Sequence, residues 1–179
     1  TRSFSSGKNT PQPLKEIRAD EEPRIDMLDN ELNRVLGGGL VPASLVLIGG
    51  EPGIGKSTLV LQTILKLQSI KSLYVSGEES ARQLKLRAER LNIENDNCLI
   101  VCETNLDKIF EHIKNTKPQL VIIDSIQTMY SDSMESSPGS ISQVRECASA
   151  ILKFAKQSGI PTLMVGHITK DGSIAGPKV

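Results

Sequence analysis

The chain has 179 residues, enough for one domain of common size with its own apolar core. Its 38% apolar and 23% charged residues make a globular balance, and no run of about 18 uncharged apolar residues is present to span a bilayer. Equal numbers of basic and acidic residues give zero formal net charge, and aromatics make up only 3%. Composition therefore supports neither a grip on duplex DNA by overall charge nor an extensive platform for stacking single-stranded bases.

Residues 1–23 are rich in Ser, Pro, Lys and Glu and show little apolar periodicity. They read as a flexible lead-in with a short turn near Leu14 to Ile17, and residues 24–179 as one domain. The start lacks both an initiator Met and a signal-peptide pattern, so a cytoplasmic fragment or trimmed chain is expected. A helix is expected from Met27 to Leu36, stopped by Gly37-Gly38-Gly39.

After the glycines, apolar strand segments alternate with helical ones. Strands are expected at Ser44 to Ile48, Ser72 to Val75, Cys98 to Cys102, Leu120 to Ile123 and Thr162 to Val165. The helix from Gly55 to about Gln68 carries Leu59, Gln62, Thr63 and Leu67 at helical spacing. The next, about Ser80 to Leu91, sets Ala81, Leu84, Ala88 and Leu91 on one face. A third, Leu106 to Asn115, is capped by Asn105, with Leu106, Ile109, Phe110 and Ile113 inward. The last, about Ser142 to Gln157, turns Val144, Ala148, Ile151, Leu152 and Ala155 inward and ends before Gly159-Ile160-Pro161.

This alternation predicts an α/β fold, with a mainly parallel sheet flanked by helices on both faces. Of three cysteines, Cys98 and Cys102 flank Leu99-Ile100-Val101 and read as small side chains of a buried strand. The odd cysteine count argues against a disulfide framework, and no zinc site assembles from it.

The most specific signal is Gly50-Glu51-Pro52-Gly53-Ile54-Gly55-Lys56-Ser57, which satisfies G-x-x-x-x-G-K-[ST] at every fixed position. Glycines let main-chain N–H groups turn inward around phosphate oxygens. Lys56 supplies a point charge to the β and γ phosphates, and the Ser57 hydroxyl a ligand for Mg²⁺. The following helix, with Thr58 in its first turn, adds its positive end. ATP with Mg²⁺ is the expected ligand. Leu120-Val121-Ile122-Ile123-Asp124 is an apolar strand ending in an acid, and Asp124 is the candidate second anchor for the metal. Val75-Ser76-Gly77-Glu78-Glu79-Ser80 brings two acids to a strand end. Glu78 is the first choice for the base that polarises the attacking water, and Glu79 the second.

Several blocks together resemble the bacterial RadA (Sms) family of DNA repair proteins. They are Arg34-Val35-Leu36-Gly37-Gly38-Gly39-Leu40-Val41-Pro42, Gly49 through Thr58, Tyr74 through Ser80, and Asp124-Ser125-Ile126-Gln127-Thr128. Ser137 to Ser140 with Ser142 to Glu146, and Gly166-His167-Ile168-Thr169-Lys170 running on to Pro177, complete the set. The resemblance implies a RecA-like P-loop core close to that of DnaB-like helicases. It implies ring-shaped oligomers that use ATP to drive branch migration on recombination intermediates and single-stranded DNA. It places Glu78 at the catalytic glutamate position, and His167 to Lys170 at the start of a loop relaying γ-phosphate state to DNA.

The family pattern also includes a four-cysteine zinc finger before this region and a Lys-Asn-Arg-Phe-Gly motif with a Lon-like domain after it. The chain is therefore expected to be a portion of the ATPase core. Ala43 stands where the family often has Gly, read as a small change.

His167 is the candidate sensor of the γ-phosphate, and Lys170 a weaker candidate for DNA contact. Arg82, Lys85, Arg87 and Arg90 are interspersed with Glu79 and Glu89 and read mainly as a solvated face. A RecA-like signalling ATPase that does not act on DNA is the alternative function. A small-molecule kinase would want an Arg-rich lid between Asp124 and Val179, and the sequence has none.

Overall fold

A computed structural model describes residues 11, 13–16, 23–133, 136 and 139–167. Five parallel strands form one sheet: β1 (Leu45–Gly50), β2 (Ser72–Ser76), β3 (Cys98–Cys102), β4 (Leu120–Asp124) and β5 (Thr162–His167), in the spatial order β1-β5-β4-β2-β3. The helices are α1 (Asn30–Val35), α2 (Lys56–Lys66), α3 (Ala81–Leu91), α4 (Leu106–Thr116) and α5 (Ile141–Ser158). The RecA-like α/β core that the sequence implied is present.

The central strands send alternate side chains to opposite faces, because the strand period is two. Tyr74, Leu120, Ile122, Leu163 and Val165 join the core beneath α2 and α3. Leu73, Val75, Val121, Ile123 and Met164 join a second core beneath α4 and α5. There Phe110 of α4 stacks on Phe154 of α5, with ring centroids 4.3 Å apart. Burying each large aliphatic side chain contributes about 1.5–3 kcal/mol, so two such layers hold the sheet between its helices.

Four helices differ from the sequence expectations. The first helix begins at Asn30, not Met27, because Asp29 caps it by accepting from Leu32 N while Asp26 takes the Leu28 amide. Met27 instead precedes the helix, fully buried beside Leu40, where an antiparallel bridge joins Ile25 to Leu40. On α2 the phosphate loop sets the phase: Lys56, Val60, Thr63 and Ile64 form the buried stripe, and Leu59 faces solvent. On α3 Ala81 is exposed, and Leu84 is the fully covered side chain. On α5 Cys147 occupies the inward position between Val144 and Ile151, while Leu152 is exposed.

The strand carrying Cys98 and Cys102 is an edge of the sheet, so Cys102 is exposed and Cys98 only half-buried. Among the described residues no His, Cys, Asp and Glu group is arranged to hold a metal by itself. No described helix is long and apolar enough to cross a membrane. A short 3₁₀ turn at Leu14–Glu16 is the described part of the lead-in.

Ala43 is more than a small change. Its φ is +60°, in the left-handed region where a Cβ costs about 1–2 kcal/mol. The turn is held there by Ala43 N donating to Gly159 O, at 3.1 Å. Ala43→Gly is therefore expected to stabilise the fold by about 0.5–1 kcal/mol, after the added freedom of the unfolded chain is subtracted. Urea denaturation of the two proteins checks the sign.

Candidate functional site

The carboxyl ends of β1, β2, β4 and β5 share one edge, and open α/β sheets bind ligands outside that edge. In register, Gly50 of β1 lies beside His167 of β5, and Asp124 of β4 lies between Ser76 of β2 and Val165 of β5. β1 feeds the glycine-rich loop, and α2 begins at Lys56 directly after Gly55 in a left-handed conformation. Glu51, Pro52, Gly53, Ile54 and Gly55 are exposed, whereas Lys56 is buried. The Lys56 ammonium donates to Gly50 O at 2.8 Å and Glu51 O at 2.7 Å, which keeps its charge inside the loop.

Ser57 and Asp124 come together as the sequence reading required. Ser57 Oγ donates to Asp124 Oδ1 at 3.1 Å, bridging 67 residues of chain. The second carboxylate oxygen, Oδ2, accepts from the hydroxyl of Tyr74, which is fully buried on β2. Burial first, and then the Asp124 carboxylate, push the Tyr74 hydroxyl far above the ordinary phenol range, so it stays a donor. Sequence reasoning missed Tyr74, and its only signal was a polar tip in an otherwise apolar strand.

The two adjacent acids part company. Glu78 accepts from Ser125 Oγ at 2.5 Å and lies 3.3 Å from His167 Nε2. Glu79 instead pairs with Arg87 of α3 at 2.6 Å, both side chains about one-quarter exposed. Burial raises the Glu79 carboxyl above its usual range, only partly offset by the guanidinium. Arg87 thus departs from the solvated face expected of that helix, while Lys85 pairs with Glu89 at i,i+4 as expected. The Ser76 hydroxyl ties down the Glu79 backbone, donating to its carbonyl at 2.8 Å and accepting from its N–H at 3.0 Å.

A 3₁₀ turn at Ile126–Thr128 follows β4 and packs against the end of β2. A Cβ on Gly77 would stand 1.9 Å from Thr128 Oγ1 and 2.9 Å from Thr128 Cβ, so glycine leaves the room that the Thr128 side chain fills. Gly77 N donates to Asp124 O at 2.7 Å, which fixes the strand carrying Glu78 to the strand carrying Asp124. Gln127 Nε2 donates to His167 O at 3.1 Å. Ser125 and Gln127 also escaped sequence reasoning as site residues, although both stand in the block that follows Asp124. Lys170 lies outside the described residues.

A model of the AAA domain matches residues 10–173. The chain belongs to the AAA domain family. It is 52% identical over 176 residues to the DNA repair protein RadA of Halalkalibacterium halodurans, covering 97% of this chain and 38% of that protein. The DNA repair protein RadA of Bacillus subtilis is 52% identical over 171 residues, or 94% of this chain and 37% of that protein. That of Escherichia coli is 51% identical over 176 residues, or 98% and 38%. The chain therefore spans less than two-fifths of the length of these curated relatives. Membership of the AAA domain family supports nucleotide binding.

Removing the Tyr74 hydroxyl leaves a buried carboxylate oxygen without its donor. Tyr74→Phe keeps the ring and its packing, so it is expected to cost about 1.5–3 kcal/mol, the usual worth of a hydrogen bond to a charged group. Chemical denaturation in Mg²⁺-free buffer checks that value.

Proposed function

We propose that this chain is the ATP-hydrolysing core of a DNA repair and recombination motor. In this reading it binds ATP with Mg²⁺ and couples hydrolysis to branch migration or translocation on single-stranded DNA. It works in the cytoplasm on recombination intermediates, as a homo-oligomeric ring. The observation that carries the reading is the 3.1 Å contact of Ser57 Oγ with Asp124 Oδ1, with Glu78 held against the residue after Asp124.

The residues fit the ligands. Mg²⁺ prefers hard oxygen donors, and a hydroxyl and a carboxylate stand together here. Gly53 and Gly55 have φ of +82° and +93°, and no heavy atom lies within 4 Å of where a Cβ would stand on either. The loop is thus open where a phosphate approaches its amides.

Gly50 to Thr58 cradle the triphosphate, and Lys56 sets its charge against the β and γ oxygens. Ser57 and Asp124 would hold the metal, which would supply positive charge to neutralise the phosphates. Glu78 accepts the proton of the attacking water. Glu79 anchors α3 through Arg87 and does not share that task. His167 touches the base and leads into the segment containing Lys170, the proposed DNA-side contact. The names of the RadA relatives support a DNA repair role, and the geometry of the loop supports nucleotide chemistry.

ATP turnover with and without single-stranded DNA tests the reading. Lys56→Ala is expected to lose both nucleotide binding and turnover. Glu78→Gln is expected to bind nucleotide normally and lose turnover by about 10²–10⁴-fold, the usual contribution of a positioned base. Glu79→Gln is expected to retain turnover. Stimulation by DNA supports the motor, whereas turnover indifferent to DNA supports a RecA-like signalling ATPase instead.

A further inference from the structure

Glu78 is the base in the reading above, yet its side chain is 45% exposed, and an exposed carboxylate samples several rotamers. What restrains it comes from another strand. Ser125 is fully buried, and its Oγ donates to Glu78 Oε1 at 2.5 Å. The His167 ring approaches the same oxygen, at 3.3 Å. Among the described residues Glu78 Oε2 takes no hydrogen bond, so one carboxylate oxygen is held and the other left open.

Ser125 is itself rigidly placed. Its carbonyl accepts from Thr128 N at 3.2 Å and Thr128 Oγ1 at 2.8 Å, which closes the turn after β4. Gly77 N is bonded to the carbonyl just before Ser125, so the backbones carrying base and holder are joined. The geometry points to Ser125 as a positioning residue for hydrolysis: its hydroxyl holds Glu78 Oε1 so that Oε2 meets the attacking water. Asp124 and Ser125 then serve two partners from one dipeptide, the metal side through Asp124 and the base through Ser125.

The inference rests on the hydrolysis reading, and the experiment separates the two. Steady-state ATP turnover and fluorescent-nucleotide binding are measured in the full chain for wild type, Ser125→Ala, Ser125→Cys, Glu78→Gln and Ser125→Ala with Glu78→Gln. Ser125→Ala is expected to lower kcat about 10–100-fold, part of the effect of a positioned base, with KM and nucleotide affinity within about twofold. Ser125→Cys, similar in shape but a weak donor, falls between. It carries the same comparison if Ser125→Ala melts early by circular dichroism.

With Glu78→Gln already present, Ser125→Ala is expected to change kcat by less than about twofold, since no carboxylate remains to be positioned. A merely structural serine gives its full loss in both backgrounds, and that result overturns the proposal. So does a Ser125→Ala kcat equal to wild type. A wild type that binds nucleotide without hydrolysing it overturns the hydrolysis reading, and the positioning role falls with it.

Discussion

Ser57 and Asp124 are 67 residues apart in the chain and share a hydrogen bond of 3.1 Å in the fold. Neither is positioned by its own neighbours alone. Ser57 sits at the start of α2 because β1 and the glycine-rich loop deliver it there. Asp124 sits at the tip of β4 because β2 and β5 pair with that strand on either side. The pairing of these two oxygens depends on the whole sheet keeping its register, since a slip of one residue would turn Asp124 to the opposite face.

Around that contact the structure divides labour between adjacent residues. Tyr74 holds one oxygen of Asp124, and Ser125 holds one oxygen of Glu78. Both holders are fully buried, whereas the loop residues Glu51 to Gly55 face solvent. A rigid scaffold thus presents an exposed loop, the arrangement in which binding groups are usually found. The neighbouring acids Glu78 and Glu79 illustrate how finely burial sorts similar groups. One is left half open and held by a hydroxyl, and the other is drawn into an ion pair with Arg87.

The network reaches a third strand through Gln127 and His167. Gln127 grips the main chain of His167, and the His167 ring lies against the same carboxylate oxygen that Ser125 holds. The end of β5 is therefore linked to Glu78 by the His167 side chain and to the turn after β4 through its backbone. Such a link joins the acid at the tip of β2 to the chain leaving the sheet at β5.

The local patterns were legible in the chain itself. Strand and helix segments follow apolar periodicity, and the P-loop is a contiguous run whose chemistry depends on neighbouring main-chain amides. The cap Asn105, legible in the sequence, acts within three residues of its own helix. What only tertiary structure decided is whatever depends on strand order or helix phase. Cys98 to Cys102 reads as an apolar run, yet lies at an edge because β2 alone pairs with it. Leu59 and Leu152 turn outward because the P-loop and the packing of α5 set the helix phase. Tyr74, Ser125 and the separate fates of Glu78 and Glu79 rest on contacts with distant strands and helices, and no periodicity within one segment carries that information.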